Sequence, residues 1–162
     1  MNISLSSLAF AQTPEPTILA DSAILIEAST GRVIYEKNAD VARPPASMTK
    51  MMTCILAIEN LTKRTLVPIP DDSIYTEDNT FPWAQGDVIQ ADELMLGMML
   101  VSDNGAAVAL AQAISGTVPQ FAALMNERAR ELGCTNTNFA NPNGLPNDSH
   151  YSTARDMAKI AQ

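Results

Sequence analysis

Histidine occurs once in the 162 residues, at His150, and cysteine twice, at Cys54 and Cys134. A metal centre needs several ligating side chains at workable spacing, so no metal site is expected. The chain also lacks a basic block: lysine and arginine number 10 against 18 aspartates and glutamates, a net charge of −8. Phosphate recognition needs a basic face, so nucleic acid is not an expected partner. The acidic balance is read as serving solubility. No apolar run approaches the roughly 18 residues of a transmembrane helix, so no membrane anchor is expected within this chain. Hydrophobic residues reach 46%, enough for one globular domain with a core of its own. Cys54 lies in an apolar stretch and reads as a small buried hydrophobe. Cys134 follows a helix end at Gly133, and nothing in the spacing decides whether the two pair.

The first 19 residues read as leader and linker. Ser4 to Ala11 is short, apolar and uncharged, and Ala9-Phe10-Ala11 fits a small-x-small cleavage site. Thr13-Pro14-Glu15-Pro16 then reads as extended chain. Ser22 to Ala28 and Arg32 to Glu36 form a predicted β-hairpin around Ser29-Thr30-Gly31. From Ser47 to Leu61 the pattern is helical and apolar nearly all round, which predicts a buried central helix. Pro68 to Asp87 is irregular, with a short hairpin expected around Ser73-Ile74-Tyr75. Helices are expected over 92–100, with Leu94, Met95, Met98, Met99 and Leu100 inside, over 104–114, over 118–132, and over 154–161 after a cap at Ser152 or Thr153. Residues 136–149, rich in Asn, Pro and Gly, read as a loop.

Chemistry concentrates at Ser47-Met48-Thr49-Lys50. Residues three apart on a helix share a face, so the Ser47 hydroxyl and the Lys50 amine can meet. A serine is a weak nucleophile until a neighbouring base takes its proton, and burial at the helix start favours the neutral, basic form of Lys50. The plainer reading makes Ser47 a helix cap. Against it, a capping box wants Glu or Gln where Lys50 stands, and a helix N-terminus disfavours a cation. A second polar cluster, Ser102-Asp103-Asn104, interrupts two apolar helical stretches. Asp103 or Ser102 can cap the helix that follows. The functional alternative gives Ser102 a proton-relay role beside Lys50, and Asn104 hydrogen bonds to both lysine and substrate.

Ser-x-x-Lys followed by Ser-x-Asn resembles the penicillin-recognising serine enzymes. The stretches Ser29 to Asn38 and Arg43 to Lys50, then Asn141-Pro142-Asn143-Gly144-Leu145 and His150 to Ala158, are similar to low-molecular-weight D-alanyl-D-alanine carboxypeptidases. The resemblance runs from about residue 20 to the end. It implies an α/β fold of the α+β type, the β-lactamase/transpeptidase-like architecture, with an N-terminal hairpin and a helical subdomain. It also implies that Ser47 attacks the peptidoglycan pentapeptide stem, Lys50 takes its proton, Ser102 relays a proton and Asn104 binds substrate. β-Lactam antibiotics would acylate the same serine. No cofactor is implied, and the setting is the periplasm or the outer face of the bacterial cytoplasmic membrane.

Two departures shape the expectation. None of Lys37, Lys50, Lys63 and Lys159 is followed by Thr-Gly or Ser-Gly, so the third family motif is absent. Residues 20–162 therefore read as the N-terminal part of the catalytic domain, truncated before that motif and without turnover. The missing Glu-x-x-Leu-Asn disfavours a β-lactamase. Alternatives are a non-catalytic fragment that keeps Ser47, or a related endopeptidase or β-lactamase-like hydrolase. The hairpin should also expose a strand edge that invites self-association. With a complete upstream signal, cleavage is expected after Ala11. N-terminal sequencing of exported material checks this, and a mature terminus well away from Gln12 refutes it.

Overall fold

The computed structural model describes residues 16–162. The Ala9-Phe10-Ala11 signature lies outside the described residues. The hairpin forms from β1 (Ala23–Ile26) and β2 (Val33–Lys37), antiparallel, with Ala23 opposite Lys37 and a register shift between Leu25 and Ile26. β1 is shorter than the sequence pattern suggests, and β2 has the expected length one residue further on. Gly31, at φ +71°, turns the chain while its N–H reaches the Glu27 carbonyl.

After Pro44-Pro45 a single 3-10 turn, Ala46–Met48, leads into α1 (Thr49–Asn60). Then come β3 (Leu66–Pro68), α2 (Asp71–Ile74), β4 (Val88–Gln90), α3 (Ala91–Leu100), α4 (Asn104–Ser115), α5 (Val118–Glu131) and α6 (Ala154–Ala161). β3 and β4 pair antiparallel, giving a second two-stranded sheet. The architecture is α+β, as the sequence implies.

Three helix starts are capped by side chains. Asp103 accepts from the Ala106 N–H, Thr117 from Gln120 and Thr153 from Asp156. Ser47 caps nothing: it sits inside the 3-10 turn, and Met48 occupies the capping position of α1 with no side-chain bond. The hairpin expected around Ser73 is instead α2. Pro70 before a first turn holding Asp71 and Asp72 is a helix start, with the carboxylates set against the positive end of the helix dipole. The strands of that region lie on either side, where no local turn signal links them.

α4 is the centre of the molecule. Every residue from Asn104 to Ala111 is buried, and its alanines let α1, α3 and α5 approach closely. One apolar cluster joins Met52, Leu56, Phe121, Met125, Phe139 and Ile160; the other joins Ala57, Val67, Leu94, Met98, Ala107 and Leu110. α1 contributes to both but is not buried all round: Ile58 is 65% exposed. Met99 and Leu100 also face outward, at the end of α3 beyond its packing against α4. Cys54 is half-buried, Cys134 is buried, and both are free thiols. Burial, with the Asp156 charge behind it, pushes the Cys134 thiol up to about 11. Among the described residues no single helix is long and apolar enough to cross a membrane.

Candidate active site

Ser47 and Ser102 are exposed, while Lys50 and Asn104 lie buried beneath them. The turn before α1 delivers Ser47, with Ala46 at φ +48° reversing the chain just ahead of it. One turn on, the Lys50 amine is 2% exposed as a residue and donates to three acceptors. These are Ser47 Oγ at 3.1 Å, Asn104 Oδ1 at 2.7 Å and the Asn143 carbonyl at 2.8 Å. Ser102 Oγ donates to Ser47 Oγ at 2.9 Å. The four residues singled out in the sequence therefore meet at one point.

Burial holds the Lys50 amine below the ordinary lysine value, partly offset by the Asp103 charge. The donor count gives that shift a chemical meaning. As an ammonium, Lys50 uses all three protons on its three partners. As a neutral amine it keeps two for the Asn104 and Asn143 oxygens and turns a lone pair toward Ser47. Both protonation states are satisfied without moving a side chain, which is what a reversible proton acceptor requires.

Several contributors escaped the sequence reading. The Asn143 carbonyl is a backbone atom and leaves no side-chain signature. It is held by a loop braced on itself: the Gly144 N–H donates to Asn141 Oδ1 at 2.7 Å, Asn141 Nδ2 to the Leu145 carbonyl at 2.9 Å and the Leu145 N–H to Asn143 Oδ1 at 3.1 Å. Gly144 stands at φ +90°, and a Cβ there would overlap the Ala46 carbonyl next to Ser47. Thr53 Oγ1 donates to the Pro142 carbonyl at 2.6 Å. His150 ties the far end of the same loop to α1. The Ala140 N–H donates to Nδ1, so the ring proton is on Nε2 and is given to Thr49 Oγ1 at 2.8 Å.

Above these groups opens a cleft of about 330 Å³, bounded by Ser47, Asp78, Ser102, Asn104, Asn143 and Leu145. An exposed hydroxyl, an amine of lowered basicity and a second hydroxyl meet at the floor of an open cleft, an arrangement with the parts that serine–lysine chemistry needs. The model of the Peptidase_S11 family, D-alanyl-D-alanine carboxypeptidase, matches residues 9–162, and the chain belongs to that family. It is 39% identical over 158 residues to the D-alanyl-D-alanine carboxypeptidase DacF of Bacillus subtilis, covering 93% of this chain and 40% of that protein. The structure of the carboxypeptidase DacD from Francisella tularensis superposes with a TM-score of 0.89 at 39% identity, over 97% of this chain and 40% of the other. Penicillin binding protein 5 from Haemophilus influenzae gives 0.86 at 32% identity, over 93% and 46%. The chain spans about 40% of the length of the curated relatives it matches.

Burial also depresses the basicity of His150. Its folded pKa therefore lies below the unfolded value of about 6.5. The unfolded chain takes the proton first, so this contribution to stability is complete above pH 6.5 and is lost as pH falls toward the folded value. Urea midpoints should decline between pH 7 and 5, and His150→Gln should remove that part of the slope. An unchanged slope in the variant would show that the decline comes from other groups.

Proposed function

We propose that Ser47 is the nucleophile of a serine-type D-Ala-D-Ala carboxypeptidase acting on peptidoglycan stem peptides. Residues 20–162 are then the Ser47-bearing portion of its catalytic domain. The observation that carries this reading is the Lys50 amine, lowered in basicity by burial and 3.1 Å from Ser47 Oγ, with its other two donors fixed on carbonyl oxygens.

Ser47 Oγ attacks the carbonyl carbon between the last two D-alanines as its proton passes to Lys50. The carbonyl oxygen becomes an oxyanion, and the Ser47 backbone N–H is a donor for it. Collapse breaks the C–N bond. Ser102, within reach of Ser47, gives its hydroxyl proton to the leaving amine and takes in exchange the proton held by Lys50, which leaves Lys50 neutral again, and D-alanine departs. Water then attacks the ester and regenerates Ser47. A β-lactam presents a strained amide to the same serine. Asn104 has a double task. Its oxygen takes one Lys50 proton, and one Nδ2–H goes to the Glu77 carbonyl at 2.9 Å, which leaves the second N–H for a substrate carbonyl. Such a substrate places the protein outside the cytoplasm, in the periplasm or on the outer face of the membrane, in keeping with the leader signature.

A fluorescent penicillin tests the reading. A covalent adduct on Ser47, seen by intact mass and peptide mapping, is expected, and Ser47→Ala should abolish it. Lys50→Ala should slow acylation by about 10²–10⁴-fold, the usual worth of a positioned proton acceptor, with the fold intact. Acylation of the Lys50 variant at the parent rate would remove Lys50 from the base role, and a parent chain that forms no adduct would sink the reading.

The hairpin supports a second proposal, self-association through β1. Among the described strands β1 pairs only with β2, Leu25 is 54% exposed, and an open groove of about 500 Å³ runs between β1 and α6. An unpaired apolar edge is a template for another copy of the chain. Sedimentation velocity should show concentration-dependent dimers that Leu25→Lys weakens. A parent that stays monomeric at every concentration would refute this.

A further inference from the structure

Asp103 does more than cap α4. Its carboxylate is fully buried, an arrangement that is costly unless every oxygen is matched by donors. Here four are supplied. Oδ2 accepts from the backbone N–H groups of Thr80 at 2.7 Å and Phe81 at 3.0 Å. Oδ1 accepts from the Ala106 N–H at 2.7 Å and from Trp83 Nε1 at 3.0 Å. Only the Ala106 bond is a cap, a task that Asn or Ser performs about as well as Asp. The other three donors come from a segment some 20 residues earlier, which a cap does not require.

That segment and the floor of the cleft are one unit. Glu77 receives the Asn104 amide on its carbonyl, and Asp78 borders the cleft beside Ser47. Trp83 and Asn79 pack so tightly on the first turn of α4 that a Cβ on Gly105 would lie 2.8 Å from each, and 2.7 Å from the Ser73 carbonyl. On the other side of Asp103, Ser102 is held at φ +61°. That left-handed conformation is unfavourable for a non-glycine residue and persists only where the surroundings fix it. With Ser102 turned this way and Asp103 extended, Ser102 Oγ and Asn104 Oδ1 reach Ser47 and Lys50 while the carboxylate between them points into the segment.

We propose that Asp103 is the positioning residue of this site. Its carboxylate gathers the Thr80–Trp83 segment and so fixes the strained backbone that presents Ser102 and Asn104 to the Ser47–Lys50 pair. The part that concerns reactivity rests on the function proposed above. The groups that touch Lys50 are neutral, namely Ser47 Oγ, Asn104 Oδ1 and the Asn143 carbonyl. Asp103, at the start of α4, is the charge that acts on the amine, and it opposes the effect of burial.

Two variants separate positioning from capping. Asp103→Asn keeps the size and the cap but loses the charge and sets an NH₂ against donors. Asp103→Ser keeps the cap but is too short to reach the segment. Trp83 is the only tryptophan, so its emission reports this segment alone. Both variants are expected to keep the parent far-ultraviolet circular dichroism. In both, Trp83 emission should shift to the red with easier quenching by acrylamide. The apparent pKa of Lys50, read by competitive acetylation and mass spectrometry across pH, should fall. Penicillin acylation should slow by about 10- to 100-fold, the scale set by a small misplacement of reacting groups. A role in capping alone would leave Trp83 emission and quenching at parent values, and that result overturns the inference whatever the acylation rate or the Lys50 titration. If the parent itself forms no adduct, the Ser47 reading fails, and the Trp83 measurement still decides the role of Asp103.

Discussion

The Lys50 amine is buried with three acceptors around it, and the rest of the molecule is arranged to keep them there. An amine taken out of water needs partners in fixed positions. Those partners come from the turn before α1, from the start of α4 and from the Asn143 backbone, segments distant in sequence. Each must be held in turn. α4 can lie against α1 because its buried residues are mostly small, Gly105 and four alanines among them. The Asn143 carbonyl can approach because Gly144, without a Cβ, passes beside the Ala46 carbonyl. The packing of the core and the geometry of the site are thus the same problem solved once.

The same burial sets the chemistry. An amine in water at neutral pH is almost wholly protonated and cannot accept from a serine. Desolvation lowers its basicity, and Asp103, close enough to act but not in contact, limits how far it falls. The second hydroxyl matters for direction. Ser102 donates to Ser47, so the Ser47 oxygen already has one hydrogen bond from a group that is itself exposed to the cleft. On the function proposed above, the proton held by Lys50 has a short path to the leaving group by way of these hydroxyls.

The sequence showed the local parts of this arrangement. Ser47 and Lys50 are one helical turn apart, so their meeting follows from the spacing. The helices α3 to α6 follow from apolar periodicity, from Asp103 and Thr153 as caps, and from Gly133 just past the end of α5; the Thr117 cap was not read. The non-local parts were not legible. β3 and β4 are three residues each with some 20 residues between them, too short and too far apart for alternation or a turn signal to mark. Ser73 looked like a strand because its neighbours are Ile74 and Tyr75, but two acids after Pro70 decided for a helix. The Asn143 carbonyl could not be read at all, since every residue has one. His150 looked isolated because both of its partners, a threonine hydroxyl and a backbone N–H, are ordinary groups.

One choice in the sequence remains unusual in purely structural terms. The buried face of α1 carries Thr49, Lys50 and Thr53 where leucines would contribute more to stability. All three point at a single loop: Thr49 to His150, Lys50 to the Asn143 carbonyl, Thr53 to the Pro142 carbonyl. Apolar contact would hold that loop equally close but would let it slide, since dispersion and the hydrophobic effect have little directionality. Hydrogen bonds of 2.6–2.8 Å do not allow that freedom. They place one carbonyl oxygen within bonding distance of one amine and keep it there. The polar face of α1 thus exchanges some stability for a fixed position, the one that holds the buried Lys50 amine between its acceptors.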